Sequence, residues 1–206
     1  MTDENTLEVE IVKEIECSKE VALWNYWDHE HLDIVHDGYK QSDVLYDKKN
    51  FLFRVDQIKI PLLPFMKFMT PIFMVQDDDD NLLVYAIQMG VLSKTTITII
   101  SKSEKNCQIT MNYKFYLNGW RKLLRPILKR LIPKWNERVW QEDVNLKLRR
   151  QKVKDMGFRD FVGLNEDREK RVSDNDEIKN ITLPVPRPKN SSRDLHPFSI
   201  RNKNKI

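Results

Sequence analysis

Between Lys40 and Leu117 the chain divides into a succession of short β-type segments separated by polar turns. The segments run at about 40–47, 51–60, 73–76, 82–89, 94–102 and 107–117, with turns at Lys48-Lys49-Asn50, Asp77–Asn81, Gly90 and Ser103–Asn106. Alternation is clearest in the last two: Thr95, Ile97 and Ile99 share one face, and Ile109, Met111, Tyr113 and Phe115 share another. Strands joined this closely pair antiparallel, as a meander. Such a sheet has an apolar face that something else must cover.

The flanking segments supply the cover. Residues 7–17 alternate as a half-buried strand, with Leu7, Val9, Ile11 and Ile15 on one face and Glu8, Glu10, Glu14 and Glu16 on the other. Ser18 is placed to cap a helix, which reads from Val21 to His36 and stops at Gly38. From Trp120 to Met156 the period is helical again; Pro126 and Pro133 predict a short helix and then a long one starting near Pro133. Its apolar residues Leu128, Ile132, Trp135, Val139, Leu146 and Val153 form the stripe expected to face the sheet. The expectation is an α+β domain over 1–163, a curved antiparallel sheet gripping a long C-terminal helix. Residues 164–206, rich in charge and proline, read as a disordered charged tail.

Composition excludes several classes. No apolar run is long enough to span a bilayer, and the acidic start MTDENTLEVE lacks a secretory pattern. Cys17 and Cys107 are too few for an iron–sulfur cluster and read as reduced thiols of a cytoplasmic protein. Charge is unevenly spread. Residues 1–118 hold 12 Lys/Arg against 19 Asp/Glu, whereas 119–163 hold 13 against 5. The basic amphipathic stretch 121–132 therefore suits an acidic electron-transfer partner or an anionic membrane surface, making the protein cytoplasmic with a peripheral membrane option. No nucleic-acid recognition motif is present.

The element order resembles the SRPBCC or START-like helix-grip superfamily, which includes START domains, Bet v 1-type proteins and polyketide cyclases. The resemblance spans about Leu7 to Gly163 and implies a cavity for a hydrophobic small molecule. Within it, three of the four histidines fall in the stretch 27–36, and Asp28, His31 and His36 read D-x2-H-x4-H after Trp24, Tyr26 and Trp27. Here the chain looks like the catalytic domain of Rieske non-haem iron oxygenases, without their Rieske domain. The resemblance implies Fe(II) bound by His31 and His36, a third ligand from the segment around Val139–Val144, and Asp28 beside the metal in the electron route. Carried over from that family, the third ligand would be Asp143; by helical phase both Asp143 and Glu142 lie on or beside the apolar stripe, and Glu142, nearer its centre, is the alternative. Electrons would then come from a separate ferredoxin or Rieske protein.

His31 and His36 are five residues apart, about 140° around a regular helix, so they converge only where the helix ends, bends or bulges. An ion pair of Glu142 or Asp143 with Arg138, Arg149 or Arg150 would be the purely structural use of those carboxylates. The expected cavity wall is Trp27, Phe53, Phe65, Met69, Ile97, Met111, Tyr113, Trp135 and Val139. The segment 61–74, rich in Pro, Met and Phe, reads as irregular connection or apolar lid. Two other functions are compatible with these features: a non-catalytic carrier of a lipid, quinone or isoprenoid, and a cyclase or dehydratase using His31 or His36 as general acid/base.

Overall fold

The structure, a computed structural model, describes residues 5–48, 50–60, 63–77 and 81–157; the side chains of Glu30, Asp33, Lys48, Ile60 and residues 63–66 are also outside the description. Seven strands form one antiparallel sheet: β1 (Thr6–Ile15), β2 (Tyr39–Lys48), β3 (Phe51–Ile60), β4 (Leu63–Gln76), β5 (Leu82–Gln88), β6 (Val91–Ser103) and β7 (Asn106–Tyr116). Their order is β1-β7-β6-β5-β4-β3-β2, so each hairpin partner in sequence is a neighbour in space and β1 closes against β7. The helices are α1 (Lys19–Trp27), α2 (Leu32–Val35) and α3 (Arg125–Asp155). This is the expected α+β helix-grip architecture. The expected tail, 164–206, lies outside the described residues.

The period of two decides the core. Leu7, Val9, Ile11 and Ile15 of β1 point inwards, and so do Ile109, Met111 and Tyr113 of β7 and Ile97 and Ile99 of β6. The same cluster takes Leu52, Met74 and Leu82 from the next strands. α1 lies across it with Val21, Ala22, Leu23, Trp24 and Trp27, and Ser18 caps α1 by accepting from the Val21 amide at 3.3 Å.

Three expectations are corrected. The stretch 61–74 is mostly strand: β4 begins at Leu63 and pairs with β3 along its length, whereas β5 reaches only Ile72–Gln76. Pro64 and Pro71 are tolerated because that half of β4 has a ladder on one side only. Next, α3 starts at Arg125 rather than near Pro133. Pro126 sits in its first turn, where a missing amide costs nothing, and Pro133 is carried inside the helix on its exposed side.

The third correction concerns which face of α3 is buried. The buried residues are Asn136, Trp140, Asp143, Lys147, Arg150 and Gln151, spaced by three and four. The expected stripe, including Val139 and Leu146, is half-buried at most, although Ile132 and Trp135 do pack on the main core. The helix is thus turned by roughly 100° from the phase its apolar residues indicate. Polar partners on α1 and α2 hold it there, as described below.

The basic segment 121–132 begins as a 3-10 turn over Gly119–Leu124 and continues into α3. Leu124 and Leu128 pack on Leu7, Val91 and Leu117 at one end of the sheet. Trp120, Leu123 and Ile127 face outwards beside Lys122, Lys129 and Arg130, with Leu123 75% exposed.

Candidate metal centre

The helix expected over Val21–His36 is broken, and the break creates the site. α1 ends at Trp27; Asp28 takes φ −75° and ψ 89°, out of helical geometry. A 3-10 turn covers His29–His31, and the single-turn α2 follows with His31 at its N-terminal boundary and His36, extended at φ −100° and ψ 114°, at its C-terminal one. The two imidazoles, which a regular helix would splay, therefore face each other with ring centroids 5.4 Å apart.

Asp143 comes to meet them from α3. Its Oδ1 lies 3.3 Å from His31 Nε2 and 3.4 Å from His36 Nε2, and all three side chains are buried. One ligand atom from each residue falls within 4.8 Å of the others. Among the described residues Asp143 Oδ1 makes no aligned hydrogen bond despite its burial. A converging, unbonded oxygen beside two imidazole nitrogens fits a shared ion: donors bound at roughly 2.0–2.2 Å in adjacent positions sit about 3 Å apart. Two imidazoles and one carboxylate are a donor set that would suit a divalent transition metal such as Fe(II).

The surrounding groups orient each ligand. Asp143 Oδ2 is occupied: Lys147 Nζ donates to it at 2.6 Å and Asn25 Nδ2 at 3.0 Å. His36 Nδ1 lies 2.8 Å from Glu142 Oε2, which fixes the ring with Nε2 towards Asp143. Glu142 is half-exposed and is itself held by Arg138 at 3.1 Å, which also reaches Asp37. Glu142 therefore acts through His36, and Asp143 is the residue the structure brings to the histidines. Asp28 lies 3.7 Å from His31 Nδ1 and pairs with Arg150, whose guanidinium also meets Asn25 and stacks 4.1 Å from the Trp24 ring. Asp28 thus lies beside the triad and outside it.

Burial alone would push the Asp143 carboxyl up. The Lys147 ammonium and the two histidines outweigh it and hold the group well below the usual carboxylate range. For His31, burial disfavours the imidazolium, yet the Asp143 and Asp28 carboxylates raise its pKa above the ordinary 6.5. Asp28 is lowered against its burial by His31 and Arg150.

Of the expected cavity wall, Trp27, Ile97, Met111 and Tyr113 are on the inner face and buried. Trp135 packs against them, and Val139 is half-buried beside Trp140. Phe53 and Met69 are corrected. Leu52, Arg54 and Asp56 take the inward positions of β3, so Phe53 points outwards and stacks on Phe73 at 4.5 Å. Thr70 takes the inward position of β4, which leaves Met69 58% exposed on the other face. The Phe65 side chain lies outside the described residues. Sequence reasoning missed Lys147, a fully buried lysine, and Asn25. Their signal was positional: Lys147 stands one turn beyond Asp143.

No protein-family model matches the chain, and no curated protein matches it. Solved structures do resemble it in fold. The Zhui aromatase/cyclase from Streptomyces sp. R1128 superposes with TM-score 0.56 at 8% identity, over 72% of this chain and 94% of that one. Norcoclaurine synthase from Thalictrum flavum gives 0.54 at 15% identity, over 70% and 95%. Human STARD10 gives 0.54 at 13%, over 70% and 66%. At these identities the likeness is one of fold, the START/Bet v 1-like helix grip. Among the described residues no helix is long and apolar enough to cross a membrane.

Proposed function

We propose that this protein holds an apolar small molecule between its sheet and α3, beside an Fe(II) centre built from His31, His36 and Asp143. The observation that carries the reading is the meeting of three buried ligand atoms, from two segments over a hundred residues apart, around an unbonded carboxylate oxygen. Such an ion would supply Lewis-acid and one-electron chemistry at its open positions. The chain's own residues do the rest. Glu142 accepts from His36 Nδ1 and keeps its Nε2 available. Lys147 and Asn25 hold Asp143 Oδ2, so that Oδ1 is presented as a single donor. Trp27, Met111 and Tyr113 form an apolar wall that keeps water from the ligand. The resemblance of the D-x2-H-x4-H stretch to the catalytic domain of Rieske oxygenases makes an oxygenase-like reaction the finer form of this proposal. Its electrons come from a separate acidic protein docking on 121–132.

A second reading keeps the ligand and drops the metal. Lys147, 2.6 Å from Asp143, already balances the carboxylate's charge. A metal-free carrier or cyclase is also nearer to the fold neighbours, one of which is an aromatase/cyclase and another a norcoclaurine synthase solved with dopamine and hydroxybenzaldehyde. Anaerobic titration with Fe(II), paired with mass spectrometry of the organic extract, separates the two. One tightly held iron per chain, lost in both His31→Ala and His36→Ala, supports the metal centre. An apolar molecule in the extract with no iron uptake supports the carrier.

A further inference from the structure

The inner face of the sheet is apolar along β6 and β7, whereas along β2, β3 and β4 polar residues are buried beside Val44, Leu52 and Met74. Arg54, Asp56, Ser42 and Thr70 are all buried there, with Arg54 7% exposed and Thr70 2%. Both Asp56 oxygens are used: Ser42 Oγ donates to one at 2.7 Å and Arg54 Nε to the other at 3.1 Å. The Arg54–Asp56 pair is therefore neutral overall, with the Arg54 Nε–H as its link. Among the described residues the two terminal amino groups of Arg54 have no hydrogen-bond or ion-pair partner. Thr70, opposite Asp56 in the β3–β4 ladder, carries a buried hydroxyl with no partner either. Tyr39, opposite Ile58 two residues along β3 from Asp56, is buried, and its hydroxyl has no partner among the described residues. Its ring sits 5.7 Å from that of His36, so this polar patch adjoins the metal centre.

A buried hydroxyl without a partner, as on Thr70, is costly, and such a group is normally satisfied by protein, water or ligand; the two free amino groups of Arg54 and the Tyr39 hydroxyl stand ready beside it. The unmet capacity is a set of donors, four N–H on Arg54 and two O–H. We propose that Arg54, Thr70 and Tyr39 bind a hydrogen-bond-accepting oxygen, a carbonyl, carried by an otherwise apolar ligand. The charge balance selects the carbonyl. Asp56 already neutralises Arg54, so an added carboxylate would leave a net buried negative charge, whereas a carbonyl takes the donors at no such cost. This inference rests on the proposal that the inner face holds a small molecule, and it does not depend on the metal.

The test uses two neutral fluorophores of one body, Prodan, a naphthyl ketone, and 2-(dimethylamino)naphthalene, which lacks the carbonyl. Each is titrated into the full chain with metal chelated. Prodan should bind at least about tenfold more tightly, with its emission to the red of that in an aprotic apolar solvent because the carbonyl accepts hydrogen bonds. Loss of Arg54 strands Asp56 and threatens the fold, so the decisive variants are Thr70→Val and Tyr39→Phe, which keep shape and leave the Arg54–Asp56 pair intact. Each should weaken Prodan severalfold, blue-shift its emission and leave the hydrocarbon unaffected. Equal affinity for the two probes, with no response to either variant, would overturn the carbonyl inference while sparing the apolar-ligand reading. Binding of neither probe would overturn both.

Discussion

The two buried surfaces that meet in this molecule are of opposite kinds. Where the sheet packs α1, the contact is Leu52, Ile97, Ile99, Ile109, Met111, Val21, Trp24 and Trp27. Where α3 packs, the buried positions are Asn136, Asp143, Lys147, Arg150 and Gln151, with Trp140 alone among them large and apolar. A helix of ordinary core packing buries its apolar stripe. This one leaves Val139, Leu146 and Val153 half-buried and turns a charged face inwards. The first surface stabilises the fold by removing apolar area from water. The second is held by hydrogen bonds and ion pairs to α1 and α2, and it carries the chemistry.

The contrast predicts different failures. Ile109→Ala, fully buried on the sheet side, should lose about 2–5 kcal/mol of stability in chemical denaturation while leaving metal affinity in the folded fraction unchanged. Lys147→Met removes the partner of a buried carboxylate. It should lose about 3–5 kcal/mol without metal, and bound metal should restore part of it by repairing the charge at Asp143. If metal restores stability to Ile109→Ala as much as to Lys147→Met, the division between the surfaces fails.

The pH dependence should differ in sign between the two forms. His31 has a folded pKa above 6.5, so in chelated protein its protonated form favours the fold at low pH, and that contribution fades as pH rises through the raised value. Metal binding needs the neutral imidazole, so affinity should fall as pH drops through the same range. Thermal scans of chelated and loaded protein should therefore converge as pH falls from about 8 to 6.5, His31 favouring the chelated fold while the loaded form loses its metal. The smallest effect belongs to the face the helix leaves half out: Leu146→Ala should cost no more than about 1 kcal/mol, well below a true core leucine.

The strands were legible because one rule governs them: on β1, β6 and β7 alternate apolar residues are the inward ones, and Leu7, Ile97 and Ile109 lie where the period puts them. The D-x2-H-x4-H spacing and the segment holding Glu142 and Asp143 were legible as candidates, but not the break at Asp28 that lets His31 and His36 converge, since a kink follows from tertiary contacts. Apolarity as the mark of burial gives the wrong phase for α3, because Arg150 to Asp28 and Lys147 to Asp143 set the rotation instead. The same rule put Phe53 inside, although Arg54 and Asp56, charged and adjacent, hold the inward positions. Polar burial is what a functional face looks like, and hydrophobic periodicity is blind to it.

The most direct test of that rotation is an anaerobic Co(II) titration followed by the ion's visible ligand-field absorption, on the native chain, Asp143→Ala and Glu142→Ala. The native protein should saturate at one ion per chain. Glu142→Ala should bind about 10–100-fold more weakly with bands of similar form, because it only orients His36. Asp143→Ala should show no such bands, with circular dichroism checking that it is folded. Bands undiminished in Asp143→Ala, or absent from the native protein, would contradict the claim that the buried polar face of α3 completes a metal centre.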